Sequence, residues 1–193
     1  DDSFIVLGSL TLNNDTIASS VDLVNSGTVT VTGTAASSIN AGLTNNTGAT
    51  LNVTAVNGTT GNLLTVANGF TNSGLISLNS SNNAGDWLAN LAVTTGALTN
   101  ASGATLRSAG NSESANTISN TLVNQGLIDI RRSLTVSSLA VNDGAINFNT
   151  NISAFTPSNA SLTNNGTISS TGVTGTLSVG TFINAATTGL VDL

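Results

Sequence analysis

The feature that most constrains this chain is a short pattern that returns from one end to the other. Its clearest copy is Phe70-Thr71-Asn72-Ser73-Gly74-Leu75-Ile76-Ser77-Leu78. Aligned on it are FIVLGSLTL (4–12), LVNSGTVTV (23–31), LTNNTGATLNV (43–53), LTNASGATLRS (98–108), LVNQGLIDI (122–130), VNDGAINF (141–148), LTNNGTISS (162–170) and FINAATTGLVDL (182–193), nine copies in all. The third residue of the pattern is Asn25, Asn45, Asn72, Asn100, Asn124, Asn164 and Asn184, with Asn142 in a shifted copy and Val6 in the first. A Gly follows it each time. Continuous self-similarity at one grain predicts a single elongated body over residues 1–193 rather than a set of globular domains.

Within each copy a large apolar residue and the Asn share one parity, the Gly interrupts, and two aliphatic residues two apart resume it. Val29 and Val31, Leu51 and Val53, Ile76 and Leu78, Ile128 and Ile130, Ile146 and Phe148, and Val191 and Leu193 are these inward pairs. Period-two alternation of β-branched and aliphatic residues is the signature of half-buried strands. A further apolar segment precedes most copies, as in LLTVANG before Phe70, TISN before Leu122, LTVSS before Leu139 and LSVG before Phe182, so each repeat offers three short strands. Successive anchor positions lie 19, 20, 27, 28, 24, 18, 22 and 20 residues apart. Each interval suffices for one coil of a β-helix, whereas a hairpin repeat needs turn dipeptides at closer intervals. The expected fold is therefore all-β: a right-handed parallel β-solenoid of about nine coils of 18–28 residues, a rod on the order of 40 Å long at the usual strand spacing.

Asn suits its place because its amide carries both donor and acceptor. Identical residues in adjacent coils can bond in a ladder, and Asn tolerates turn conformations beside Gly. The competing role is glycan attachment. Asn-x-Ser/Thr triplets occur at Asn14, Asn45, Asn52, Asn57, Asn79, Asn100, Asn151, Asn159 and Asn165, but a chain in which Ser, Thr, Asn and Gly exceed half of all residues produces such triplets by chance. The structural role is the expectation adopted. The two longest intervals, Asn45 to Asn72 and Asn72 to Asn100, must shed residues as loops while the core register is kept. The second contains SSNNAGDWLANLAV, where Asp86 opens a candidate short helix beside the sole Trp, Trp87. Packing of Trp87 with Leu88 and Leu91 seats this loop on the stack; the alternative is a ligand-contact loop built on Asp86 and Trp87.

Composition narrows the chemistry. Polarity without charge would ordinarily suggest disorder, but 39% apolar residues in alternating runs argue for a folded chain. The net charge of −6, with three Arg and no Lys, disfavours a phosphate backbone and excludes nucleic acid as a partner. No apolar run reaches 18 residues and no basic amphipathic segment exists, so no membrane insertion is expected. Cys and Met are absent, which removes disulfides and thiolate chemistry and suits an extracellular protein. With no His, Lys, Tyr or Cys and nine scattered carboxylates, acid–base and nucleophilic catalysis lack their groups, zinc lacks ligands, and neither calcium loops nor a phosphate-binding glycine loop occur. No enzyme and no cofactor is expected. Asp129 and Asp143 are the nearest approach to a glycosidic pair, but Asp129, between inward Ile128 and Ile130 and beside Arg107 of the preceding coil, reads as a solvated surface charge.

The copies LVNSGTVTV, FTNSGLISL, LVNQGLIDI and LTNNGTISS resemble the repeats of large secreted bacterial β-helix proteins, chiefly filamentous-haemagglutinin-like adhesins and autotransporter passenger domains. The resemblance runs the length of the chain. It implies a Gram-negative source, export to the cell surface, and a rod that holds binding loops away from the membrane toward a host or neighbouring-cell glycan or protein. The chain lacks the secretion-targeting region, barrel and caps of those families, so it is expected to be a segment of a longer repeat protein whose further coils continue the stack. Other classes with such coils are carbohydrate-active β-helices, surface-layer proteins and ice-binding solenoids. An ice-binding face needs a flat Thr array, and the outward column here, Thr30, Asn52, Ser77, Arg107, Asp129, Asn147, Ser169 and Asp192, is mixed.

Overall fold

The computed structural model describes residues 3–56, 63–80, 87–111, 114–151, 153–170, 172–185 and 189–192. Among them there is no helix, and every strand pairing is parallel. The chain winds as a β-solenoid in which each copy of the pattern stacks on the preceding one. One sheet holds nine strands in strict chain order: Ser9–Asn13, Thr28–Thr32, Thr50–Ala55, Leu75–Ser80, Thr105–Gly110, Leu127–Ile130, Ala145–Phe148, Thr167–Ser170 and Leu190–Asp192. Its register is that of the sequence repeat. Ile76 sits between Leu51 and Leu106, and Thr30, Asn52, Ser77, Arg107, Asp129, Asn147, Ser169 and Asp192 pair in succession as one outward column.

The second sheet, 14-stranded, carries both the Asn-bearing strands and the extra apolar segments. The expectation of three separate short strands per coil holds only in part. In the middle of the rod two of the three run together as Leu63–Asn72, Asn90–Asn100 and Asn116–Asn124. The pairing slips between Thr95 and Leu98 and again between Ile118 and Thr121, which marks where each long strand bends. Gly96 and Asn120 adopt positive φ at this bend, +85° and +103°, a region open to Gly and tolerated by Asn.

Period two puts every second residue inside the coil. Val29, Val31, Leu51, Val53, Ile76, Leu78, Ile128 and Ile130 are fully buried, and with Leu23, Leu64, Leu91, Leu98, Phe148 and Phe155 they belong to one continuous core. Each such side chain contributes about 1.5–3 kcal/mol relative to exposure. The expected inward role of the first and last copies is partly corrected: Phe4 and Val191 remain exposed, because a terminal coil has a neighbour on one side only. Leu193 lies outside the described residues. The anticipated helix at Asp86-Trp87 is likewise corrected over its described part. Residues 87–89 are irregular and Asn90–Asn100 is strand, since Ala89, Leu91 and Val93 alternate inward at period two and no apolar stripe of helical period competes.

Candidate functional site

The Asn column forms a continuous amide ladder. Asn25 donates from Nδ2 to Asn45 Oδ1 at 2.8 Å, Asn45 to Asn72 at 2.6 Å, Asn72 to Asn100 at 2.9 Å, Asn100 to Asn124 at 2.9 Å, Asn124 to Asn142 at 2.6 Å, Asn142 to Asn164 at 2.8 Å and Asn164 to Asn184 at 2.8 Å. All donors point toward the C-terminal end of the rod. The second amide proton crosses the corner to the nine-stranded sheet of the next coil, as Asn72 does to the Thr105 carbonyl at 3.2 Å and Asn100 to that of Leu127 at 3.1 Å. On the acceptor side, Asn72 Oδ1 also takes the Gly74 amide at 3.2 Å. Hydrogen-bonding capacity at this buried amide is thus saturated, the condition under which a buried polar group costs no stability. The ladder ties the two sheets together along the rod. At its first step the column is occupied by Val6, paired with Asn25, and at its last Asn184 is exposed and donates to the Gly189 carbonyl at 2.9 Å.

This geometry bears on the glycan triplets. Asn45 and Asn100 are 0% exposed, so their amides have no access to solvent in the folded chain. Asn57 lies outside the described residues.

A second polar element inside the core had no counterpart in the sequence reading. Ser108 stands where other copies place Val31, Val53, Leu78, Ile130 or Phe148, and it is fully buried. Its hydroxyl accepts from Asn116 Nδ2 at 3.0 Å, while Asn116 also donates to the carbonyls of Leu78 and Ala109 and accepts the Ala89 amide. The available signal was the hydroxyl at an aliphatic place in LTNASGATLRS, whose partner is supplied by a strand in the other sheet.

Outside the core, two of the three arginines of the chain meet at one carboxylate. Asp129 Oδ2 receives Arg107 Nε at 2.8 Å and Arg131 Nε at 3.0 Å, and its Oδ1 receives Asn149 Nδ2 at 2.6 Å. Asp129 is 2% exposed, so the expectation of a solvated surface charge is corrected: the two guanidinium groups and the amide cover it. Arg132 follows, with its Nε buried and unpartnered. Burial pushes the Asp129 carboxyl up, but the hydrogen bonds from Arg107 and Asn149 and the charge of Arg131 outweigh it and hold the group below its usual range. A folded-state value below the unfolded one, near 3.9, gives stability that is present above about pH 4 and lost as pH falls through the folded value. Asp129→Asn is therefore expected to lower stability at pH 7 by about 1–3 kcal/mol, reduced from a fully buried pair because both arginines are partly exposed. Chemical denaturation at pH 7 and pH 3 checks this, and the gap between variant and parent should narrow at the lower pH.

Asp143 is not brought to Asp129. It is exposed on the corner turn that follows Asn142, where it accepts Asn165 Nδ2 at 2.8 Å, whereas Asp129 faces outward from the nine-stranded sheet. Asp15 and Asp22 accept the backbone amides of Asn13 and Gly42. Among the described residues no group of three or more His, Cys, Asp or Glu is placed to hold a metal. Trp87 and Leu88 are half-buried while Leu91 is in the core; Asp86 lies outside the described residues. No family model, no curated protein and no solved structure matches this chain.

Proposed function

We propose that this chain is a rod-forming adhesive segment of a secreted or cell-surface bacterial protein, in which the stacked coils are the support and the corner turns and loops are what a partner meets. The observation that carries this reading is the uninterrupted Asn ladder from Asn25 to Asn184: its polar capacity is spent on holding coil to coil, and its donors leave nothing for a substrate. The carboxylates point the same way. Asp129 is locked between two arginines and an amide, and Asp143, Asp15 and Asp22 are each engaged separately, by the Asn165 amide group and by the backbone amides of Asn13 and Gly42. A rod with this division of labour acts by display, with a glycan or protein of a neighbouring cell as the partner and no cofactor.

Two measurements test it. Antibodies raised against the folded chain should label intact cells of the source organism without permeabilisation, and beads coated with the chain should be retained on epithelial or bacterial cell layers above beads coated with an unrelated acidic protein. Labelling only after permeabilisation, or retention equal to the control, contradicts the reading. Release of reducing ends from a polysaccharide panel by the purified chain would replace it with the carbohydrate-active alternative.

A further inference from the structure

From Asn25 to Asn164 the corner turns that follow the ladder Asn are of two lengths. At Asn72 the turn is short: Ser73 and Gly74 lead directly into the strand beginning at Leu75. On either side of it the turns are two residues longer. Asn46 to Ala49 and Ala101 to Ala104 are each closed by a hydrogen bond from the last amide to the first carbonyl, at 3.0 Å in both. Gly48 and Gly103 occupy the third place of these two turns with φ of +80° and +81°, as a turn of this kind demands. Because the walls belong to coils two apart, they stand about 10 Å from each other. The result is a notch of about 280 Å³ floored by Ser73 and Gly74, walled by Thr47, Gly48 and Gly103, and continued toward Thr105 and Arg107.

The lining decides what the notch can take. It offers hydroxyls from Thr47, Thr50, Ser73 and Thr105, close backbone at glycines, an apolar surface from Ala49 and Leu75 that a sugar ring face can meet, and a single cation. Arg107 is preorganised: its Nε edge is fixed on Asp129 at 2.8 Å while its side chain stays 32% exposed. Hydroxyl groups spaced around one guanidinium suit a ligand that carries several hydroxyls and one carboxylate. The volume fits a single ring, and the net charge of −6 opposes a long polyanion while leaving one local negative charge favourable beside Arg107.

We propose that the notch between the two long turns binds the terminal residue of an acidic saccharide, with the carboxylate on Arg107 and the sugar hydroxyls on the Ser and Thr of the turns. This rests on the adhesive reading above and names the ligand class that the display would serve. The outer turns act as side walls and Asp129 as the residue that positions Arg107.

The test is a titration of the ¹⁵N-labelled chain with glucuronic acid, its methyl ester and sodium acetate, followed by amide shifts. Glucuronic acid is expected to move the amides of Gly48, Ser73, Gly74 and Gly103 with a roughly millimolar dissociation constant, ordinary for one ring, and the uncharged ester to bind at least tenfold more weakly. Ser73→Gln should abolish the response without changing the melting temperature, because Gln125 occupies the same place in the Asn124-Gln125-Gly126 turn and is exposed there. Arg107→Gln should also abolish the response but lower the melting temperature, because it takes one guanidinium from the buried Asp129 carboxylate, and Ser73→Gln keeps the test valid if that variant unfolds. Absence of shifts at these amides, equal response to acetate and glucuronic acid, or full binding by Ser73→Gln overturns the proposal. Failure here with beads still retained on cells removes the notch and leaves the rod's adhesive role; binding here with no bead retention removes the adhesive role instead.

Discussion

Asn72→Asp is expected to cost about 3–5 kcal/mol at pH 7, the scale of an uncompensated buried charge. Asn72 is fully buried, and its Nδ2 faces Asn100 Oδ1 and the Thr105 carbonyl, both acceptors. A carboxylate oxygen placed there meets two other oxygens, and the two protons that held the coils are gone. The variant should therefore hold its carboxyl protonated in the fold, with the folded-state value above the unfolded one near 3.9. For such a group the destabilisation is smallest below about pH 4 and grows as pH rises toward the folded value. Thermal melting of the variant should improve on acidification, the reverse of the Asp129 dependence in the parent chain. Asn72→Ala removes the same rung without adding charge and should cost less, about 1–3 kcal/mol for the polar groups left unpaired, with no comparable pH dependence. If Asn72→Asp melts like the parent at pH 7, the ladder does not hold the coils together.

The second large effect is steric. Gly144 follows the ladder residue Asn142, and a methyl group there would run into the backbone of the coil below, with Gln125 C at 2.6 Å and Gly126 N at 2.7 Å. A backbone neighbour cannot rotate away, so Gly144→Ala must separate two coils at the corner and lose the bonds that cross it, including Ala145 to Gly126 at 2.7 Å. A cost of about 3 kcal/mol or more is expected, at the upper end of what overpacking produces. Gly8→Ala is the internal control, because nothing lies within 4 Å of the added carbon, and it should stay within about 1 kcal/mol of the parent. Equal melting temperatures for the two variants would mean that the coils do not approach as closely as the stack requires.

These two variants also explain how much the sequence disclosed. Asn and Gly recur for reasons that return along the stack: a two-sided amide in the one case, and in the other either the lack of a side chain under a neighbouring carbonyl, as at Gly74, Gly126 and Gly144, or the positive φ of Gly48 and Gly103. Constraints repeated in every coil leave a periodic trace, which is why the parallel stack, its register and the outward column from Thr30 to Asp192 were legible to the residue. Features that occur once leave no such trace. The Ser108–Asn116 bond joins residues from different sheets, and the fusion of two strands into Asn90–Asn100 depends on a bend at Gly96 that nothing in the alternation marks. The burial of Asp129 was misread for the same reason: its parity placed it outward correctly, but Arg131 and Asn149, which cover it, come from the corners of two successive coils and not from its own column. The notch beside Ser73 lay between the two cases, since the difference in turn length is written in the repeat while its consequence, a recess between two walls, needs the stack.

The stack itself is open to one direct measurement, because the chain contains no Cys and any introduced pair of thiols is unique. Spin labels at Thr30→Cys and Ser169→Cys sit six strand steps apart on the outward column, and labels at Ser77→Cys and Ser169→Cys sit four steps apart. At about 4.8 Å per step the backbones are separated by roughly 29 Å and 19 Å. Dipolar spectroscopy should return two narrow distributions whose means differ by about 10 Å, which is the spacing of two coils. Distributions that coincide, or a Thr30–Ser169 mean well below the Ser77–Ser169 mean, would contradict the stacked parallel coil and with it every assignment made on the ladder.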